Sequence, residues 1–160
     1  MLVRAHVLVC GGTGCISSKS KQLVDRFNEV LQELDLQNEI QVIMTGCFGF
    51  CEKGPIIKIQ PDNVFYVEVK PSDAKDIVME HMVKGRRVER LLYEEPNLNE
   101  RLEEQKDMPF YKKQIRIALR NCGLIDPENI EEYIAVDGYL ALGRVLSEMT
   151  QEQVIRLIKD

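Results

Sequence analysis

The chain has 160 residues, of which 44% are hydrophobic and 29% are charged, and its formal net charge is −5 at pH 7. This composition is typical of a soluble globular protein with one ordinary domain, or with one small domain and an appended segment. No apolar run is long enough for a membrane-spanning helix, and the acidic balance argues against non-specific binding to nucleic acid, so we expect neither membrane insertion nor a nucleic-acid partner.

The N-terminus and the cysteines indicate the cellular compartment. The sequence MLVRAHVLVCGG lacks the basic region and the small-residue cleavage site of a signal peptide, so we expect a cytoplasmic protein. Cytosolic thiols are kept reduced, and the five cysteines are therefore not expected to form disulfides. Cys10 and Cys15 are separated by four residues and Cys47 and Cys51 by three, whereas Cys122 stands alone.

The first part of the chain alternates between strand and helix patterns. Residues 3–9 are β-prone and predict a first strand. Residues 18–34 place apolar side chains at helical spacing, and Ser17 or Ser18 could cap this helix. Residues 39–44 predict a second strand. A strand, a helix and a strand in this order predict a right-handed parallel unit.

Two further β-prone segments, PIIKIQ and VFYVEV, flank the turn sequence PDN and predict a hairpin. A helix is predicted over residues 72–84, with Gly85 as its stop signal. The order β-α-β-β-β-α over residues 1–85 predicts an α/β fold of the small thioredoxin-like type. Nothing in the pattern indicates a second sheet.

The rest of the chain is less regular. Residues 86–108 are highly charged and lack periodicity, so we interpret them as a linker wrapped over a neighbouring part of the protein. Residues 109–160 are predicted to be helical, with Asp126 as the N-cap of one helix and a capping box from Thr150 to Gln153. Three or four short helices make a poor independent core, so we expect this segment to pack on something that the chain does not contain.

The two cysteine pairs follow the two strands of the predicted parallel unit. The loops after parallel strands lie at the same edge of a sheet, so the pairs should face each other. Four thiolates suit either a tetrahedral zinc ion or an iron–sulfur cluster. The gaps of four and three residues are wider than a two-residue zinc knuckle, which favours the cluster and leaves zinc open. A Rieske centre is not expected, because neither His6 nor His81 has a cysteine at ligand spacing.

Glycines around the cysteines strengthen the cluster interpretation, because they let backbone N–H groups point at sulfur, although they could simply form turns. These glycines are Gly11, Gly12, Gly14, Gly46, Gly49 and Gly54. A dinucleotide-binding loop is disfavoured, because Ser17 replaces the third glycine of its pattern and no acidic residue ends the second strand. A catalytic dithiol is disfavoured because neither pair is C-x-x-C.

Three other features lie near or beyond the cysteine pairs. Phe48 and Phe50 alternate with glycine between Cys47 and Cys51, and either shield the site from water or pack in the core. Cys122 is interpreted as a buried small hydrophobe rather than a ligand. Pro55 opens a strand where thioredoxin-like folds often carry a cis proline, so we expect a cis bond there.

Five motifs together span essentially the whole chain. They are VLVCGGTGC, TGCFGFCEKGP, KGRRVERLLY, FYKKQIRIALRNCGLIDPENIEEYIA and GYLALGRVLSEMT. They resemble the N-terminal, thioredoxin-like [2Fe–2S] ferredoxin domain of NADH-oxidising flavoprotein subunits. Such subunits occur in bacterial electron-bifurcating [FeFe]-hydrogenases, related formate dehydrogenases and NADH dehydrogenases. The resemblance implies that Cys10, Cys15, Cys47 and Cys51 ligate the irons of a [2Fe–2S] cluster, which transfers single electrons to other subunits of the complex.

The resemblance also implies a continuation of the chain. Members of this family go on with an FMN-binding loop, an NAD site and a cysteine motif for a [4Fe–4S] cluster, none of which follows Asp160. We therefore expect a fragment: a ferredoxin domain (1–85), a linker (86–108) and a helical lead-in (109–160) to a missing flavin domain. The parent subunit would be an NADH-dependent oxidoreductase, but no catalytic residue is assigned to this chain. The alternatives are a structural four-cysteine zinc module and a thioredoxin-like docking adaptor.

Overall fold

The computed structural model describes residues 3–96 and 100–160. It divides the chain into two compact units, Met1–Leu124 and Ile125–Asp160, each described here by itself. The first unit therefore extends well beyond the predicted boundary at residue 85. It takes in the predicted linker and the beginning of the predicted helical segment.

Up to residue 83 the first unit has the predicted order of strands and helices, with one additional short helix, and further elements follow. Its strands are β1 (Ala5–Cys10), β2 (Ile40–Thr45), β3 (Ile57–Gln60), β4 (Val64–Tyr66), β5 (Tyr93–Glu95) and β6 (Glu100–Leu102). Its helices are α1 (Thr13–Ser17), α2 (Ser20–Glu33), α3 (Ala74–Asp76), which continues as a π-helix over Ile77–Val83, and α4 (Pro109–Lys112). Short 3-10 turns lie at Cys51–Lys53, Pro71–Asp73, Glu89–Leu91 and Gln105–Asp107.

The main sheet has the strand order β2-β1-β3-β4. β1 and β2 are parallel, which confirms the predicted parallel unit, and the other pairs are antiparallel. The predicted hairpin is formed by β3 and β4. The Gly54–Pro55 bond is cis, as expected, and the Gln60–Pro61 bond is cis as well.

Strand alternation divides the apolar side chains between the two faces of the sheet. One set, including Val7, Val9, Ile57 and Ile59, packs against helix α2 in the larger core. Phe27 of α2 is fully buried in this core. The intervening residues, such as Leu8, face the opposite side and belong to a second apolar cluster.

The segment after residue 85 supplies much of that second cluster. Tyr93, Met108 and Tyr111 are buried there, and β5 and β6 form a separate two-stranded sheet. Residues 86–108, which we interpret from the sequence as a linker, thus contribute buried side chains to this cluster, and the second sheet lies beyond residues 1–85, for which a single sheet is expected. These apolar residues are spaced irregularly among charges, so their burial left no periodic signal.

Three helix starts differ from the prediction. A short helix, α1, precedes α2, and the residue before α2 is Lys19, in the left-handed region at φ 75°, rather than Ser17 or Ser18. In the second unit, the N-cap of the first helix is Asn129, whose side chain accepts the amide N–H of Glu131, rather than Asp126.

The second unit consists of helices α5 (Ile130–Ala135), α6 (Leu140–Glu148) and α7 (Gln151–Lys159). The predicted capping box from Thr150 to Gln153 is present. None of the residues in these three helices is buried, in agreement with the expected thin core. Over the described ranges 3–96 and 100–160, every helix is too short or too polar to span a membrane.

A buried polar network joins the hairpin turn to the π-helix in the first unit. The His81 side chain is only 2% exposed, and its ring nitrogens lie 2.9 Å from Tyr66 Oη and 3.0 Å from Asp62 Oδ2. Arg87 pairs with both Asp62 and Glu103 beside the ring. Burial lowers the pKa of His81, and this effect outweighs the raising effect of the Asp62 carboxylate.

This network makes the folded state sensitive to mild acid. Because the pKa of His81 is lowered on folding, the unfolded chain binds a proton at higher pH than the folded chain. The contribution of His81 to stability is complete above the unfolded pKa of about 6.5 and declines as the pH falls below it. His81→Gln should flatten the dependence of unfolding free energy on pH between 7 and 5. Equal slopes for wild type and His81→Gln in urea titrations would contradict this.

The packing of the segment after β6 can be tested at one hydrogen bond. The Tyr111 hydroxyl donates to the Phe48 carbonyl at 3.0 Å, within the second apolar cluster. Tyr111→Phe removes the donor and leaves a buried acceptor unpaired, so it should lower the free energy of unfolding by about 1 kcal/mol. Tyr139→Phe, at an exposed tyrosine of the second unit, is the matched control and should change it little.

Candidate metal centre

The parallel pairing of β1 and β2 brings the two cysteine loops together. Cys10 is the last residue of β1 and is in register with Thr45, the last residue of β2. Cys47 follows two residues later. Cys15 lies on the short helix α1, and Cys51 opens a 3-10 turn. The structure thus places the two predicted pairs at one edge of the sheet.

Close approach at two glycines shows how tightly the loops surround the sulfur atoms. A Cβ atom on Gly12 would lie 2.8 Å from Cys47 Sγ and 3.5 Å from Cys10 Sγ, so these two sulfurs are both next to Gly12. A Cβ on Gly54 would lie 2.7 Å from Cys15 Sγ. These glycines are therefore needed for space around the sulfurs, and not only for turns.

Backbone N–H groups are directed at three of the four sulfurs. The Gly49 amide donates to Cys47 Sγ at 3.3 Å. The amides of Phe48 and Gly12 donate to Cys10. The amide of Ile56, the residue immediately before β3, donates to Cys15. Such donors stabilise negative charge on sulfur and tune the reduction potential of a bound cluster.

The thiols also interact with one another. A hydrogen bond from Cys15 is the main reason that the pKa of Cys10 is lowered, to about 6, and burial opposes this effect. The same interaction and burial raise the pKa of Cys15. Burial raises the pKa of Cys47, although the Gly49 amide acts in the opposite direction. Metal ions would supply the positive charge that lets all of these thiols ionise together.

Exposure differs between the two pairs. Cys10 and Cys15 are buried, Cys47 is half-buried and Cys51 is exposed. The site is therefore closed on the side of β1 and α1. It opens to solvent at the second cysteine loop, which contains Cys47 and Cys51.

The donor set fits a metal centre. Cys10 interacts with both Cys15 and Cys47, and Cys47 interacts with Cys51, so the four thiols form one contiguous group. Four thiolates in two pairs suit the two irons of a [2Fe–2S] cluster, and they would also suit one tetrahedral zinc ion.

The aromatic residues between Cys47 and Cys51 have different roles in packing. Phe48 is buried against Phe65, with ring centroids 5.4 Å apart and edge-to-face geometry. Phe50 stacks on Phe110 at 4.7 Å. Both rings thus belong to the second apolar cluster and also line the cysteine loop.

Residues far along the chain complete the surroundings of the second loop. The Arg116 guanidinium donates to the Cys47 carbonyl at 3.3 Å, and the Gly123 amide donates to Thr45 Oγ1 at 3.0 Å. Cys122 is half-buried rather than buried, and its sulfur lies against Gly46, where a Cβ would be 2.6 Å away. These contacts could not be predicted from the sequence, because no local pattern relates residues some seventy positions apart.

Comparison with known proteins identifies similar iron–sulfur and hydrogenase proteins. A 2Fe–2S ferredoxin of Clostridium pasteurianum is 42% identical over 94 residues, which cover 54% of this chain and 92% of the relative. Subunit HndC of the NADP-reducing hydrogenase of Solidesulfovibrio fructosivorans is 58% identical over 48 residues, which are 30% of this chain and 10% of that subunit.

A solved structure and a family model agree on the fold. The wild-type thioredoxin-like [2Fe–2S] ferredoxin of Aquifex aeolicus, at 33% identity, superposes with a TM-score of 0.51 over 56% of this chain and 96% of its own. The model for thioredoxin-like [2Fe–2S] ferredoxins matches residues 2–82, a range that contains both cysteine pairs. The chain therefore belongs to the thioredoxin-like [2Fe–2S] ferredoxin family.

Proposed function

We propose that this chain transfers single electrons through a [2Fe–2S] cluster ligated by Cys10, Cys15, Cys47 and Cys51. The observation that carries the proposal is the set of backbone amides directed at the cysteine sulfurs, at the edge where two parallel strands end. When bound, the cluster would supply one-electron redox chemistry. The chain would supply the thiolates, the N–H donors that stabilise their negative charge, and a tight backbone enclosure.

The difference in exposure between the two pairs suggests where electrons would enter and leave. The buried thiols, Cys10 and Cys15, are enclosed by β1, α1 and the Gly54 backbone. The exposed Cys51 and half-buried Cys47 lie at the surface. A partner protein would therefore approach the edge formed by residues 47–51, where the path between redox centres is shortest.

We further propose that the chain works within an NADH-linked oxidoreductase complex. Support comes from the high local identity to the HndC hydrogenase subunit and from the sequence motifs beyond residue 85. On this proposal, FMN, NAD and a [4Fe–4S] cluster belong to the rest of a longer subunit. This chain would provide the electron path from that subunit to its partners in a hydrogenase, formate dehydrogenase or NADH dehydrogenase.

Metal analysis and spectroscopy test the cluster directly. Anaerobically purified protein should contain about two irons and about two acid-labile sulfides per chain. It should be silent in EPR when oxidised and give a spin-half signal after reduction with dithionite. Cys47→Ser should strongly reduce the iron and sulfide content, because it removes one thiolate, whereas Cys122→Ser should retain both.

Two results would contradict the proposal. One zinc per chain without sulfide would assign the site to a structural zinc module. Equal loss of iron in Cys47→Ser and Cys122→Ser would contradict the choice of ligands. A circular dichroism spectrum of each variant shows whether lost iron reflects lost folding.

The close approach at Gly12 gives a second test that leaves every thiol in place. Gly12→Ala would place a methyl group 2.8 Å from Cys47 Sγ, although the backbone at Gly12, with φ −62° and ψ 149°, accepts alanine. We expect a destabilisation of about 1–3 kcal/mol from overpacking and a lower iron content. Gly143→Ala, in helix α6 with no atom near the new methyl, should retain iron and stabilise the helix by up to about 1 kcal/mol. Equal iron contents would show that the space beside Gly12 is not needed for assembly.

A further inference from the structure

A pocket of 350 Å³ in the first unit lies next to the second cysteine loop and is outside the proposed cluster site. Its charged lining residues are Lys58, Glu104, Lys106, Arg116 and Arg120. Arg116 connects it to the loop through the hydrogen bond to the Cys47 carbonyl. The volume is near the lower end of the roughly 300–1,000 Å³ typical of ligand sites.

Lys58 is the unusual member of this lining. It lies on β3 between Ile57 and Ile59, and because these two isoleucines face the helices, Lys58 faces the opposite side of the sheet. The residue is only 7% exposed and lines the pocket. It makes no hydrogen bond or ion pair with any described residue. An ammonium group buried without a partner is costly, unless an anion occupies the space in front of it.

The other charges of the pocket leave an excess of positive charge. Glu104 pairs with Lys106 at 2.9 Å, so these two residues neutralise each other. Arg116 is held by a neutral carbonyl and not by a carboxylate. Within residues 3–96 and 100–160, Arg120 makes no hydrogen bond or ion pair. Glu104 also attracts the Lys58 ammonium, but it is a single carboxylate. Against it stand four cations, so the lining keeps an excess of three positive charges. These cations are Lys58, Lys106, Arg116 and Arg120.

We propose that this pocket binds the phosphate group of a small molecule, either inorganic phosphate or the diphosphate of a nucleotide. Two guanidinium groups can each donate a pair of parallel N–H bonds to phosphate oxygens. The Lys58 ammonium adds a point charge at the buried end of the pocket. Three unpaired cations match a phosphate dianion better than a single carboxylate, which carries one charge.

Isothermal titration of the full chain at low ionic strength tests the proposal, with inorganic phosphate, pyrophosphate and ADP as separate ligands. We expect one saturable site. Lys58→Met and Arg120→Gln should each weaken binding roughly tenfold or more, because each removes a charge-assisted contact. Arg120 is exposed, so its replacement tests the site even if Lys58→Met disturbs the fold. Lys113→Met removes one positive charge from the same exposed segment, outside the pocket, and should leave the affinity unchanged.

The three ligands distinguish the source of the phosphate. Binding of ADP that is tighter than binding of pyrophosphate would indicate a nucleotide, and equal or weaker binding of ADP would indicate an inorganic anion. The proposal fails if none of the three ligands saturates the protein. It also fails if Lys113→Met weakens binding as much as Lys58→Met, because binding would then not depend on the pocket. Finally, it fails if malonate binds as tightly as pyrophosphate, because the protein would then recognise negative charge without selecting phosphate.

Discussion

The centre depends on the parallel pairing of β1 and β2. Because both strands run in the same direction, both of their C-terminal loops lie at one edge of the sheet, and Cys10 lies level with Thr45. An antiparallel pair would have placed the two cysteine pairs at opposite ends of the sheet. Helix α2, which crosses from the first strand to the second and packs on the larger core, makes the parallel arrangement possible.

Burial of the cysteine thiols at this edge of the sheet controls how readily they ionise. Thiols enclosed by backbone resist ionisation, and the raised pKa of Cys15 reflects both its burial and its hydrogen bond with Cys10. The loops offset this cost with N–H donors directed at the sulfurs. Small residues such as Gly12 and Gly54 allow the backbone to approach closely enough for such contacts.

The second face of the sheet links the centre to the segment after residue 85. Three residues of this segment donate hydrogen bonds to the end of β2 or to the loop that contains Cys47, so the packing of the segment fixes the position of that loop. They are Tyr111, Arg116 and Gly123. The same segment supplies two of the cations that surround Lys58. Packing, loop geometry and surface charge in this region are therefore coupled, although the contributing residues are far apart in sequence.

Local residue patterns predicted the order of the four strands, including the hairpin, and the two longer helices of residues 1–85 as β-α-β-β-β-α. They also predicted the parallel unit and the meeting of the two cysteine pairs, because apolar periodicity and turn residues are local signals. Long-range packing, by contrast, assigned residues 86–124 to the first unit. It also placed the Ile56 amide at Cys15 and left Lys58 in a cationic pocket. These features arise where distant segments pack together. Their contacts depend on three-dimensional proximity, which no periodic pattern within a segment encodes.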